Sequence, residues 1–213
     1  MSKIVEISSY FPSKNSFKNS VSDVKCDEHK ILVDYLKQFA YKHSLDGLYK
    51  TYLFLTSDDK SAAYISFSLT TIEGNDAKNY FDVPLGLNYP IPALKITRLL
   101  TSDQYTRKGI ATRLLFFTDL LGFILSSQIG CKAIVVDAKD DAVDFYRFNG
   151  YDILNQEDDS IDTLFMIKKI ETTHEYNKNL NIILEEFMEF CNDYSLNIYS
   201  SFIKSLQKKV CLL

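Results

Sequence analysis

The first half of the chain combines one amphipathic helical pattern with aromatic, strand-like runs. Residues 3–9 predict a first strand. Residues 27–43 predict a helix, because apolar side chains recur on one stripe: Ile31, Leu32, Tyr35, Leu36, Phe39 and Ala40. The apolar runs at 50–56 and 62–70 predict a β-hairpin, because a short polar segment separates them. The glycines and prolines of residues 74–92 predict an irregular connection.

The second half of the chain alternates strand-like and helical patterns. The predicted elements are a strand at 94–100, a helix at 108–127, a strand at 132–138, a helix at 141–148, a hairpin from 151–154 and 163–170, and two helices at 176–192 and 195–209. The helix at 141–148 should end at Asn149-Gly150, a favourable helix stop. This order of elements predicts a mixed α/β fold.

Composition places the chain among ordinary globular proteins. It has 213 residues, of which 46% are hydrophobic and 24% charged, with only 7 glycines and 4 prolines. These values exclude collagen, low-complexity disorder and a disulfide scaffold. The longest apolar run, 114–125, is interrupted by Thr118, Asp119 and Gly122, so we expect no membrane span. Because Glu6 stands where a signal peptide needs apolar residues, we expect a cytoplasmic protein.

Cysteines and histidines show no metal-binding or redox spacing. The four cysteines, which lack any CxxC pattern, are read as reduced thiols: Cys26, Cys131, Cys191 and Cys211. Cys26 follows a lysine ahead of a helix, which allows either a lowered thiol pKa or a structural role, and the structural role is favoured. The three histidines, His29, His43 and His174, are interpreted as surface or helix-end residues, and no metal is expected.

Positive charge is concentrated in the middle of the chain. Basic residues outnumber acidic ones only within 85–151, where Lys95, Arg98, Arg107, Lys108 and Arg113 lie close together. The sequence pI of about 5.4 argues against duplex DNA as the main partner. A small anionic ligand needs only such a local positive site.

The segment Thr106-Arg107-Lys108-Gly109-Ile110-Ala111 opens the long predicted helix directly after a strand. A helix N-terminus presents unpaired N–H groups and attracts phosphate, and small residues let a diphosphate approach the backbone. Arg107 and Lys108 would add positive charge. The alternative is a tight strand-to-helix connection that simply requires a glycine.

A second motif, Ala142-Val143-x-Phe145-Tyr146-x-x-x-Gly150-Tyr151, follows the strand that ends near Val136-Asp137-Ala138-Lys139. Together with the Thr106–Ala111 segment, it resembles the GNAT superfamily of acyl-CoA-dependent N-acetyltransferases. The family has Gln or Arg where this chain has Thr106, which removes one side-chain contact to the phosphates. The resemblance implies a GNAT-like mixed β-sheet flanked by helices with splayed central parallel strands, over residues 1–170. Residues 171–213 would form a helical extension.

The resemblance also implies roles for individual residues. Acetyl-CoA, as co-substrate, would contact Leu99, Leu100, Thr101, Thr106, Arg107, Lys108, Gly109, Ile110, Ala111 and Thr112. Tyr146 would be the general acid that protonates the departing CoA thiolate. The alternative for Tyr146 is an aromatic core residue packed with Phe145 and Phe148. No general base is evident, since Asp103, Asp137 and Glu73 are better explained as turn or surface carboxylates.

A narrower resemblance concerns GNAT toxins of toxin–antitoxin pairs, which acetylate aminoacyl-tRNA. It rests on Lys25-Cys26-Asp27, on 35–40, on Lys50-Thr51-Tyr52 and on 92–99. Charged tRNA and an antitoxin are therefore candidate partners beside an unidentified amine, and a non-catalytic acyl-CoA sensor is a further alternative. Arg98 would order the cofactor region, touch an anionic acceptor or form a strand-edge salt bridge. The two C-terminal helices could pack back on the domain, form a homodimer interface or restrict the acceptor cleft.

Overall fold

A computed structural model describes residues 1–73, 80–81, 90–155, 163–170 and 180–210. Its strands are β1 (Lys3–Glu6), β2 (Lys50–Leu55), β3 (Ser61–Ile72), β4 (Ile91–Thr101), β5 (Ala133–Lys139), β6 (Asp152–Asn155) and β7 (Thr163–Lys169). Its α-helices are α1 (Ile7–Tyr10), α2 (Lys14–Ser20), α3 (Lys30–Tyr35), α4 (Tyr41–Leu45), α5 (Ile110–Gln128), α6 (Val143–Phe148), α7 (Leu180–Asp193) and α8 (Asn197–Val210). A π-helical turn, Leu36–Ala40, joins α3 to α4.

The seven strands form one mixed sheet in the order β1-β2-β3-β4-β5-β7-β6. β4 and β5 run parallel, with Ala93–Ile96 opposite Ala133–Val136, and β4 continues to Thr101. β5 pairs antiparallel with β7 along its whole length, from Ala133 to Lys139. The prediction of a mixed α/β fold is therefore confirmed.

The described residues form two compact units. The first lies within Met1–Ser66, Arg98–Leu114 and Thr173–Leu213, and the second within Phe67–Thr97 and Leu115–Thr172. The core of the first unit joins apolar side chains of α1–α4, β2, β3 and the end of β4, including Phe17, Leu36, Leu53, Tyr64 and Leu100. In the second unit, Ile72, Ile91, Val135 and Ile167 belong to a core cluster on β3, β4, β5 and β7.

The two C-terminal helices pack back on β1 and β2, which is the first of the three uses considered for them. The backbone N–H of Ile4 donates to the carbonyl of Tyr194, at 3.3 Å, in the turn between α7 and α8. The ring of Tyr194 lies 5.6 Å from that of Phe54, and the Tyr52 and Tyr199 hydroxyls are hydrogen-bonded at 3.0 Å. The domain boundary near residue 170 stays a prediction.

The N-terminal third departs from the predicted elements in three places. The strand expected over residues 3–9 ends at Glu6, because the carboxylate of Glu6 accepts a hydrogen bond from the N–H of Ser9 and caps α1. The helix predicted at 27–43 begins at Lys30 and contains the π-helical turn, and two residues of its predicted apolar stripe are exposed, Ile31 by 81% and Phe39 by 50%. Helix α2 was not predicted.

Helix α5 is long and apolar enough to span a membrane by length and composition. Its Phe117, Leu120 and Phe123 are buried inside the protein, which is the behaviour of a core helix. Most of the irregular connection predicted at 74–92 lies outside the described residues.

Candidate cofactor and catalytic site

The turn that follows β4 is anchored to the segment at residues 25–27. The buried Ser102 donates its N–H to the carbonyl of Ala62 at 2.9 Å, and its hydroxyl is bonded to the backbone of Lys25. The N–H of Asp103 donates to the carbonyl of Lys25, and a carboxylate oxygen of Asp103 accepts from the N–H of Asp27 at 3.1 Å. These bonds fix the chain direction at the point where it leaves the sheet.

The connection from this turn into α5 carries two residues in the left-handed backbone region. Arg107 has φ +57° and Gly109 has φ +71°, and regular helix begins at Ile110. Left-handed residues within a turn aim successive N–H groups toward one side and make concavities that bind anions. The free N–H groups of the first turn of α5 follow directly. The prediction of a strand-to-helix turn with a required glycine agrees with this backbone.

The charges around this connection are exposed. Arg107 and Lys108 form no ion pair with any residue of the described ranges, and Lys108 Nζ lies 5.1 Å above the ring of Tyr105. The side chain of Arg113 reaches back to the connection, and its Nη1 donates to the carbonyl of Lys108 at 3.0 Å. Thr106 donates its hydroxyl to the carbonyl of Asp103, also at 3.0 Å. Its side chain is thus hydrogen-bonded within the turn.

The other predicted contacts with acetyl-CoA lie in the same unit. Leu100 is buried in the core, whereas its neighbours Leu99 and Thr101 are only partly buried, as expected of alternating strand positions. Ile110, Ala111 and Thr112 form the first turn of α5. The ten predicted contacts therefore belong to the first unit, and Tyr146 belongs to the second.

Tyr146 lies in the short helix α6 and is 5% exposed. Its ring makes edge contacts with Phe145 and Tyr151, at 5.4 and 5.3 Å between centroids. Its hydroxyl forms no hydrogen bond within the described part of the chain. Burial raises the pKa of Tyr146 well above its usual value, so the phenol carries its proton at neutral pH. The side chain can donate a proton or a hydrogen bond, and cannot act as a base.

The end of α6 holds Tyr146 in place. The N–H of Tyr151 donates back to the carbonyl of Tyr146 at 3.1 Å, and Gly150 adopts φ +84°, which is the pattern of a Schellman cap. The prediction that the helix stops at Asn149-Gly150 is confirmed. Tyr151 is 1% exposed, and its pKa is raised by burial and by the nearby carboxylate of Asp119.

The three carboxylates considered as general bases have other roles. Asp137 forms an ion pair with Lys95, at 2.6 Å, and Asp103 accepts the backbone N–H of Asp27. Glu73 is exposed at the end of β3. Within the described residues, the structure thus supports the interpretation of all three as turn or surface carboxylates.

Thiol and metal chemistry find little support in the described ranges. Burial raises the pKa of the Cys26 thiol, which agrees with the structural role favoured for it. Cys131 and Cys191 are also buried and free. No group of three or more metal-ligating side chains occurs among the described residues.

An open cleft of about 540 Å³ lies in the first unit, between β1 and the turn joining α7 to α8. Its polar side chains already bind one another. The carboxylate of Glu6 accepts hydrogen bonds from Ser8 and Ser9, and the Tyr52 hydroxyl pairs with that of Tyr199. We therefore place the candidate site at the connection into α5, where donors and cations are exposed.

Sequence reasoning missed an arginine–aromatic cluster in the first unit. The guanidinium carbon of Arg98 lies 3.5 Å from the ring centroid of Tyr35 and 5.2 Å from that of Tyr49. His43 packs against both tyrosines and stacks on Phe39. These positions share no periodicity in the sequence, so no pattern could have joined them.

No known family model matches the sequence. Solved structures do resemble it. AtaT in complex with acetyl-methionyl-tRNAfMet superposes with a TM-score of 0.63 at 16% identity, over 78% of this chain and 94% of that one. A tyrosine-to-phenylalanine variant of AtaT was solved with acetyl-CoA and the C-terminus of the antitoxin AtaR. It superposes with a TM-score of 0.59 at 15% identity, over 78% of this chain and 93% of that one.

The KacTA–DNA complex gives a TM-score of 0.62 at 17% identity, over 89% of this chain and 99% of that one. The TM-scores show that these proteins share a fold with this chain. At identities this low, they say nothing about the chemistry. AtaT is a toxin, and AtaR is its antitoxin. This chain therefore shares the fold of AtaT and KacT, a GNAT-like mixed β-sheet flanked by helices.

Proposed function

We propose that the protein is an acetyl-CoA-dependent N-acetyltransferase. The observation that carries the proposal is the connection into α5, where Arg107 and Gly109 take left-handed conformations ahead of an exposed helix N-terminus. This geometry suits a diphosphate, because backbone N–H groups bind the oxygens and the helix dipole favours negative charge. The acetyl-CoA complex of an AtaT variant with the same fold supports the same ligand.

In this proposal the backbone binds most of the co-substrate. Leu99, Leu100 and Thr101 would offer backbone groups to the amide-bearing pantetheine arm, in the manner of strand addition. The N–H groups of residues 106–112 would hold the diphosphate. Since the Thr106 hydroxyl is bonded to Asp103, Arg107 and Lys108 would supply the side-chain contribution. A backbone N–H near Leu99 would stabilise the oxyanion that forms during attack.

Tyr146 is the proposed general acid. Its hydroxyl has no partner within the described ranges, and its raised pKa keeps the proton in place at neutral pH. The departing thiol has a reference pKa of ~8.5 and is a stronger acid than the phenol, so Tyr146 would act by donating its O–H to the sulfur while negative charge develops there as the thioester breaks. The acceptor amine must be neutral to attack, and no side chain is assigned to remove its proton.

The proposed acceptor is the amino group of an aminoacyl-tRNA, which would make the protein the toxin of a toxin–antitoxin pair in the cytoplasm. Two findings favour this acceptor over other primary amines. AtaT, which shares the fold, was captured with acetyl-methionyl-tRNAfMet, and both AtaT and KacT occur in complexes with antitoxins or DNA.

The test is to incubate the purified protein with radiolabelled acetyl-CoA and bulk charged tRNA, with Tyr146→Phe in parallel. We expect label in the tRNA fraction, with turnover reduced by ~10²-fold or more in the variant. Label found only in small amines or protein N-termini would show that these, and not charged tRNA, are the acceptors. Acetyl-CoA binding without transfer to any amine would refute the proposed acetyltransferase activity and support the alternative of an acyl-CoA sensor.

A further inference from the structure

Arg98 is a partly buried cation that has no anionic partner among the described residues. Its guanidinium lies on the ring of Tyr35 and beside that of Tyr49. Within the described ranges it forms no ion pair, and its Nη1 atom is buried without a hydrogen-bond acceptor. Arginine cannot lose its proton in a protein and carries five N–H donors. Buried donors are almost always bonded, so an unbonded one needs an explanation.

The surrounding side chains do not neutralise this charge. The strand-edge salt bridge that was one expected role of Arg98 is not formed with any described residue. Tyr35 is the nearest titratable group, but burial raises its pKa despite the opposing effect of Arg98, so the phenol stays neutral. Tyr64 is also kept neutral by burial. As far as the described residues are concerned, the positive charge of Arg98 is therefore available to a ligand.

The aromatic rings fix the guanidinium in one orientation. Tyr35 is buried, and its ring is supported by His43 at 5.7 Å and by Tyr49 at 6.4 Å. His43 in turn packs 5.6 Å from Tyr49. Arginine stacks well on aromatic faces and keeps its planar fork free for a carboxylate or a phosphate. A receptor that is oriented before binding loses less entropy when the ligand arrives.

Arg98 also stands next to the residues proposed to position the thioester. It directly precedes Leu99–Thr101 in β4, and its side chain is only partly buried, so one edge can be reached. We propose that Arg98 binds an oxyanion of the acceptor substrate and thereby selects that substrate. This inference rests on the proposed acetyltransferase function. The oxyanion has two sources: a phosphodiester near the 3′ end of a charged tRNA, or the carboxylate of a free amino acid.

The phosphodiester source is tested by binding, without any acetyl transfer. An uncharged RNA ending in CCA is titrated against the wild type, Arg98→Gln and the control Lys14→Gln, which removes an exposed charge from the same unit. We expect Arg98→Gln to raise the Kd by ~10-fold and to lower the log–log salt slope by ~0.7, the value for one contact on a single strand. Lys14→Gln should change neither, and the Kd for acetyl-CoA should be unaffected in both variants.

The carboxylate source is tested with a free amino acid and its amide as acceptors. If the carboxylate is the ligand, the wild type should prefer the acid in kcat/KM by ~10-fold, and Arg98→Gln should lose that preference. The proposal is overturned if neither RNA binding nor acid preference depends on Arg98. RNA binding that depends on Arg98, with no acetyl transfer to any amine, would instead overturn the proposed function alone.

Arg98→Lys provides a second measurement if Arg98→Gln fails to fold. Lysine keeps the charge but not the planar fork, so we expect the salt slope to persist and the Kd for the RNA to rise by about threefold. The same substitution should weaken an acid preference by a similar factor. Binding and preference both equal to the wild type would count against the proposal.

Discussion

Replacing Gly109 by alanine tests the connection into α5 most directly. A residue with a Cβ at φ +71° carries a conformational cost of ~1–2 kcal/mol. The added Cβ would lie 3.4 Å from Arg113 Nη1, the mobile end of a side chain, so steric overlap adds little. If the loop relaxes to escape the strain, its N–H groups turn away from the diphosphate. Losing one such charged hydrogen bond costs ~1.5–3 kcal/mol, which is ~10-fold or more in the Kd for acetyl-CoA.

The matched control is Gly47→Ala. Gly47 has φ +73°, nothing lies within 4 Å of its added Cβ, and it belongs to the same unit. Both variants should lose similar stability, seen as a Tm lower by ~2–4 °C for each kcal/mol. Only Gly109→Ala should weaken acetyl-CoA binding measured by calorimetry. Wild-type affinity in Gly109→Ala, together with the loss of stability, would refute the role assigned to this backbone.

Further predictions concern single polar groups. Tyr146→Phe should lower kcat by ~10²-fold in steady-state assays and leave the Kd for acetyl-CoA unchanged. Tyr151→Phe should keep kcat and raise the unfolding free energy by ~1 kcal/mol in urea titrations, because it removes a buried hydroxyl that has no partner in the described ranges; a loss of stability would contradict this. The pKa of Glu6 is lowered by hydrogen bonds from Ser9 and its neighbour, which outweigh the opposing effect of burial. This carboxylate therefore stabilises the fold above its unfolded pKa, and the contribution disappears as pH falls through the lower, folded pKa. Glu6→Gln should cost ~1 kcal/mol at pH 7 and nothing in strong acid, while the exposed Glu73→Gln should cost nothing at either pH.

Regular periodicity explains which elements could be predicted. The long helix and the buried strand that follows it, now α5 and β5, agree with the expected ranges to within about two residues. Their patterns are strong because packing requires one face of a helix and both faces of a central strand to be apolar. The helix stop at Gly150 could also be predicted from the sequence, because only a residue that tolerates positive φ fits at that position.

Local side-chain chemistry explains the errors near the N-terminus. The strand pattern of residues 3–9 gave no sign that the Glu6 carboxylate would turn back and cap α1. Nor does the apolar stripe of 27–43 reveal a π-helical turn, which rotates the positions after it. The cluster of Arg98 with Tyr35, His43 and Tyr49 is a product of tertiary structure, and its members lie up to 63 residues apart in the sequence.

The packing of α7 and α8 on β1 has a consequence for self-association. β1 is the outermost strand on its side of the sheet, and an outer strand offers backbone groups to any other strand that can reach it. The N–H of Ile4 already donates to the carbonyl of Tyr194, and on the neighbouring strand the Tyr52 hydroxyl is hydrogen-bonded to that of Tyr199. The C-terminal helices thus cover part of this outer edge and reduce its capacity to pair with another strand and aggregate.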